Sequence, residues 1–256
     1  MWITRLSLGI IESMDLIKEL RAVVRGEVED SKEALLRCSR DWSLFQVTPN
    51  AVVSPKDETD IESLVSFAST NHISLTCRSG GSDMTGGPLS ESVVIDMQKY
   101  FRNINEIGED YAVVQPGVWY RDFEKETLKH GLILPSYPAS RDLCTIGGIV
   151  ANNSGGEKSL AYGKTEKYVQ ELRVVLSDGK VHIIRPLSKE ELEVKKKEEG
   201  FEGDIYRRVF ALVEENKNII QNARPKVSKN SSGYALWNVW DGNTFDLTKL
   251  FTGSQG

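Results

Sequence analysis

The chain has 256 residues, 39% of them hydrophobic and 27% charged, with a net charge of −5. That is ordinary for a globular protein with a sizeable core, and the acidic balance argues against the basic face that nucleic-acid binding needs. Cys38, Cys77 and Cys144 are widely spaced with no Cys-x-x-Cys, so they give no disulfide, zinc or iron–sulfur framework and suit a reducing compartment.

From the N-terminus, Met1 to Ile11 is mildly apolar, but Glu12 and Asp15 cut the run short, so it reads as neither a membrane span nor a signal peptide. A better amphipathic pattern starts at Met14, which makes the first thirteen residues a misassigned start or an arm. The expectation is a cytoplasmic protein, with peripheral membrane association left open. Residues 14–45 read as helices, with Leu16, Ile17, Leu20, Val23 and Val24 at helical spacing. Ala51-Val52-Val53 reads as a strand ended by Pro55. Thr59 and Glu62 have capping-box spacing before a helix to about Thr70. Ile73 to Cys77, Val93 to Asp96 and Ala112 to Val114 read as strands, and Trp119 to Lys129 as a helix.

Further on, Glu171 to Leu176 and Val181 to Ile184 flank Ser177-Asp178-Gly179, a hairpin signal. Residues 188–199 read as a charged, solvated helix, and 204–222 as another. From Ala223 the chain loses periodicity until its glycine-rich end, which has the look of a cut. The whole is α+β, divided into an N-terminal helical segment (1–46) and a domain over 47–256. That domain has two lobes, about 47–135 and 136–256, and is expected to be incomplete at its C-terminal end.

Two glycine-rich loops carry the chemistry. Arg78-Ser79-Gly80-Gly81-Ser82-Asp83 follows a strand, and further glycines stand at Gly86 and Gly87. Pro138-Ala139-Ser140 leads through Cys144-Thr145-Ile146-Gly147-Gly148 to Asn152-Asn153-Ser154-Gly155-Gly156. Glycine lets backbone approach a large ligand closely, and successive amides form a nest that holds phosphate without a lysine cluster. The pair suggests one extended ligand gripped from two sides.

At these residues the chain resembles the FAD-linked oxidase family, with its PCMH-type (vanillyl-alcohol-oxidase-type) FAD-binding domain, and most resembles the D-lactate and glycolate dehydrogenases. The resemblance runs in order through Asp41-Trp42-Ser43-Leu44-Phe45, Val53-Ser54-Pro55, Arg78 to Ser82, Gln115-Pro116-Gly117-Val118, Pro138-Ala139-Ser140, Thr145 to Gly148, Asn152 to Gly156, Tyr162-Gly163 and Gly253 to Gly256. It implies a two-lobed domain with FAD between the lobes and a separate cap for the substrate, absent from these residues. It also implies FAD contacts from Cys77, Arg78, Ser79, Gly80, Gly81, Ser82 and Asp83 on one side. On the other side the contacts would come from Pro138, Ala139, Ser140, Thr145, Gly147, Gly148, Asn152, Ser154 and Gly155. Where some relatives carry a histidine that tethers flavin, this chain has Ser82, so FAD is expected to be non-covalent.

The implied reaction passes a hydride equivalent from the Cα of a small 2-hydroxy acid to flavin N5, with an unidentified electron acceptor. No catalytic base is assigned. Cys144 reads as a small packing residue, Arg141 as a solvated loop charge and Tyr162 as a packing residue. Neither the histidines His72, His130 and His182 nor any nucleophile shows catalytic or metal-ligand spacing. A different reading is a short flavin-binding, electron-transferring subunit completed by a partner chain.

Overall fold

A computed structural model describes residues 15–227, 230–231 and 233–255. The readings of Met1 to Met14 and of Gly256 lie outside these residues. The first half is built on α1 (Leu16–Val23), β1 (Glu27–Glu29), α2 (Lys32–Cys38), β2 (Ala51–Ser54), α3 (Glu58–Asn71), β3 (Leu75–Arg78) and β4 (Val93–Asp96). The four strands form one sheet in the order β1-β2-β4-β3, parallel except for β1. β2 is buried along its length, as expected of a strand covered on both faces. Ala51, Val53, Val93 and Ile95 pack with Leu20 of α1 and Leu64 of α3, while Val52 and Val94 meet Cys38 of α2 on the other face.

Two expectations are corrected here. Residues 14–45 are not all helical, because β1 separates α1 from α2 and pairs Val28 with Val53. Glu-Val-Glu is too short to show a strand period; tertiary pairing makes it one. The N-cap of α3 is Asp57, whose carboxylate accepts from the Asp60 N–H, and not the Thr59–Glu62 box. Asp60 is thereby left to turn back and accept from the N–H groups of Arg25 at 2.9 Å, Gly26 at 2.8 Å and Lys56 at 2.8 Å.

Next come β5 (Ile104–Ile107) and β6 (Ala112–Val114), an antiparallel pair, then α4 (Tyr120–Leu128), α5 (Ile146–Ala151) and α6 (Ser159–Tyr162). β5 carries a register irregularity between Ile104 and Glu106, which breaks the alternation that would have marked it in the sequence. Val118, Tyr120, Phe123, Tyr137, Cys144, Ile146 and Ile149 form the core of this part.

β7 (Leu172–Val175) and β8 (Val181–Ile184) form the expected hairpin, with Gly179 at φ 70°. After it come β9 (Leu187–Ser188), α7 (Lys189–Lys195), α8 (Phe201–Glu215), α9 (Lys217–Ala223), β10 (Thr244–Phe245) and α10 (Thr248–Phe251). The single helix expected over 204–222 is broken at Asn216, which leaves helical geometry while its side-chain amide donates to the Leu212 carbonyl. The stretch after Ala223 is not a structureless run. Val239, Trp240, Phe245 and Leu247 are buried with Tyr206 of α8, and β10 pairs with β9. These side chains come from several short elements, so no period announces them.

Among the described residues, no helix is long and apolar enough to cross a membrane, and no group of three His, Cys, Asp or Glu side chains could hold a metal. The histidines have structural places. His72 caps α3 at φ 56°, His130 follows α4, and His182 sits between Asp178 and Glu202 at 3.0 and 3.1 Å.

Candidate cofactor-binding site

β3 ends at Arg78 and delivers the chain into the first glycine loop. A Cβ at Gly80 would lie 2.7 Å from the Leu143 carbonyl oxygen and 3.2 Å from the Cys144 Cα, and a Cβ at Gly148 would lie 2.5 Å from the Ser79 hydroxyl. The Leu143 oxygen is backbone and too close for any side chain at Gly80, whereas the Ser79 hydroxyl facing Gly148 can rotate, so it is at Gly80 that the touching loops require glycine. Gly81, at φ 63°, turns the chain in the left-handed region over the Arg78 guanidinium. Arg78 itself donates to the Arg40 carbonyl at 2.7 Å, while its second terminal nitrogen is buried without a partner.

The N–H groups of Gly80, Gly81, Ser82 and Asp83 donate to no acceptor among the described residues. Four successive open amides around a left-handed glycine form an anion nest, and a helical or sheet-bound segment would have used them internally. The facing loop adds the open N–H groups of Ala139, Ser140 and Thr145. Between them, the Ser140 carbonyl accepts from Leu143 and Cys144 at 2.8 and 3.0 Å and closes a turn. Unpaired donors on two touching loops suit an anionic group such as a pyrophosphate.

Not every expected contact residue points its polar atoms outward. The Asp83 carboxylate accepts from Thr85 N–H and hydroxyl at 2.9 and 2.6 Å and from Gly87 N–H at 2.9 Å. Burial works against its charge, but these hydrogen bonds prevail and hold its pKa below the usual range. Its charge folds the loop. Asn152 donates to the Ser154 hydroxyl at 3.1 Å and accepts from Gln255, and Ser154 is buried. Gly155 lies against Ser159, and Gly147 against Pro116. Thr145 and Gly148 stand where the loops meet, beside Gly80 and Ser79, whereas Pro138 packs against Gly156. Tyr162 is half exposed, which corrects its reading as a packing residue; Arg141 is exposed, stacked on Tyr137 and 3.8 Å from Glu124.

Three contributions were missed in the sequence as parts of the site. Asp41 accepts from Gly86 N–H at 2.9 Å, while Trp42 N–H donates to the Asp83 carbonyl at 2.9 Å, which staples the 41–45 segment to the loop. Gln98 donates to the Ser79 carbonyl. Gly253 and Gln255 donate to Val150 and Ala151 at 3.0 and 2.9 Å, laying the tail along the end of α5. The motifs at 41–45 and 253–256 were legible, but their partners were not. Two open surface grooves lie elsewhere, between α1 and α3 and beside α4, and no glycine-loop residue lines them. The loop donors outweigh groove shape in locating the site.

Cys144 is buried, and burial pushes its thiol up to about 11, while Cys38 is also buried. Cys77 is solvent-exposed, and desolvation by the surrounding protein raises its pKa. Titration of the native chain with a thiol reagent is expected to modify one cysteine, Cys77, ahead of the other two. Saturating FAD should slow that reaction; equal reactivity of all three would contradict the assignment.

An open amide nest at the end of a parallel strand, faced by a second glycine loop, defines a protein that binds a phosphate-linked cofactor. The chain belongs to the FAD binding domain family, whose model matches residues 49–185. It is similar to a D-2-hydroxyglutarate dehydrogenase of Escherichia coli, 29% identical over 90% of this chain and 23% of that protein. A second relative, glycolate oxidase subunit GlcD of Bacillus subtilis, is 33% identical over 64% of this chain and 36% of that protein. Among solved structures, an alkyldihydroxyacetonephosphate synthase superposes with a TM-score of 0.59 and 26% identity, covering 67% of this chain and 35% of that one. The chain thus spans about a quarter of the length of the D-2-hydroxyglutarate dehydrogenase.

Proposed function

We propose that residues 47–256 form a two-lobed domain, about 47–135 and 136–256, preceded by the segment 1–46. It holds FAD non-covalently within a dehydrogenase of small 2-hydroxy acids. The four open amides of Gly80 to Asp83, facing the second loop, carry this reading. They would take the pyrophosphate, with Ser79 and Ser82 hydroxyls beside them, while Ala139, Ser140 and Thr145 donate from the other side. Ser82 leaves the flavin without a tether at that position. Bound FAD supplies an acceptor for the hydride equivalent leaving the substrate Cα.

The substrate class follows from the relatives. No residue among these 256 is assigned to grip its carboxylate and hydroxyl. The acidic net charge and free cysteines suit a cytoplasmic protein that does not bind nucleic acid. The test is the visible absorption of the purified chain after addition of FAD and desalting. A flavin band that stays with the protein and is released on denaturation is expected; a folded chain that remains colourless would overturn the proposal.

A further inference from the structure

We propose that Gln98 is a positioning residue, which aims the first amide of the nest and holds the two glycine loops in register. The inference rests on the FAD reading and adds to it a side chain that touches no ligand. Gln98 lies in the turn after β4, where its own N–H donates to the Asp96 carboxylate at 2.9 Å and its carbonyl accepts from the Arg102 guanidinium. Its side-chain amide donates to the Ser79 carbonyl. The Ser79–Gly80 peptide is trans, so its C=O and N–H point in opposite directions. Holding the carbonyl on Gln98 therefore turns the Gly80 N–H away from that side, and Gly80 is the residue pressed against Leu143 and Cys144.

The contacts continue in a closed ring. The Gln98 Cα lies 3.1 Å from where a Cβ of Gly117 would stand, and Gly117 N–H donates to the Phe101 carbonyl at 2.8 Å. One residue back, the Pro116 carbonyl accepts from Gly147 N–H at 2.9 Å. Gly148 then abuts the Ser79 hydroxyl and returns to the starting residue. Most links in this ring are backbone packing or backbone hydrogen bonds. Gln98 supplies the side-chain hydrogen bond, on the peptide whose direction matters most.

The experiment titrates the chain with FAD at pH 8 and pH 5, comparing wild type with Gln98→Leu and Gln98→Glu. Leucine keeps much of the bulk but removes the donor, and should weaken FAD binding about tenfold, the order expected for a carbonyl left unpaired. An ionised glutamate offers only acceptors to the Ser79 carbonyl, whereas a protonated one donates as glutamine does. The Gln98→Glu chain should therefore bind FAD about tenfold more weakly than wild type at pH 8 and, because a bond made only by the protonated acid raises its pKa above the ordinary value of about 4.3, recover part of that loss at pH 5. A space-filling role would not produce that pH profile, and this readout stands even if the leucine variant fails to fold. Variants that bind as wild type at pH 8, or a glutamate variant equally weak at both pH values, would overturn the role of Gln98 alone. A folded wild type that binds no FAD would overturn the FAD reading and this inference together.

Discussion

Gly80→Val is expected to lower FAD affinity at least about 100-fold, equivalent to about 2.8 kcal/mol. The reason is the 2.7 Å separation between a Gly80 Cβ and the Leu143 carbonyl oxygen. The obstacle is backbone, so no rotamer change relieves it, and the loops must part by several tenths of an ångström even for alanine. Valine forces more, and the open amides of Gly80 and Gly81 move away from those of Ala139, Ser140 and Thr145. Gly80→Ala should fall between valine and wild type. Fluorescence titration with FAD measures both, and circular dichroism separates loss of the site from loss of the fold. A folded Gly80→Val chain with wild-type affinity would contradict the contact between the loops.

The second large effect lies away from the site. Asp60→Ala is expected to cost about 3 kcal/mol of stability, because it leaves several buried donors without an acceptor. Its carboxylate is 2% exposed and takes three backbone N–H groups, from Arg25, Gly26 and Lys56, with the Arg25 side chain at 3.4 Å. Burial raises its pKa, but these hydrogen bonds outweigh it and set the pKa below the ordinary value. A group with a depressed folded pKa stabilises the fold at a pH above its unfolded pKa, about 3.9 for aspartate, and loses that contribution as pH falls through the folded value. The gap in unfolding free energy between wild type and Asp60→Ala should thus be full at pH 7 and shrink below about pH 4. Urea denaturation at several pH values measures it. A gap near zero at pH 7, or one that widens on acidification, would count against the role of this carboxylate.

How much was legible in the sequence follows from what each residue signals locally. The strands at Ala51-Val52-Val53 and Val93-Val94-Ile95, α4 and the Asp178-Gly179 turn all announce themselves through burial runs, helical spacing or turn chemistry. β1 and β5 do not, since Glu27-Val28-Glu29 is made a strand only by its partner, and β5 carries an irregularity. Phe245, Trp240 and Val239 are core residues without a period, because the elements that bring them together are only a few residues long.

In the site, the glycines were legible because only close approach needs so many. Their reasons were mixed, however. Gly80 and Gly148 bring loop against loop, while Gly147 and Gly155 pack on protein. A motif records that a residue is small or polar, but not whether its neighbour is a ligand or Pro116. Asp83 shows the same limit, since its carboxylate is used up by Thr85 and Gly87. Gln98 carries no local signal at all; its partner Ser79 is remote in sequence, and only the parallel pairing of β3 with β4 brings them together.

The proposed task of the open amides of the first loop is to hold a pyrophosphate. Comparative titration of the folded chain with FAD and with riboflavin, which has the same ring system and no phosphate, tests it most directly. The nest predicts that FAD binds at least about 100-fold more tightly than riboflavin, a difference of about 2.8 kcal/mol. Equal affinity for the two, or binding of neither, would contradict it.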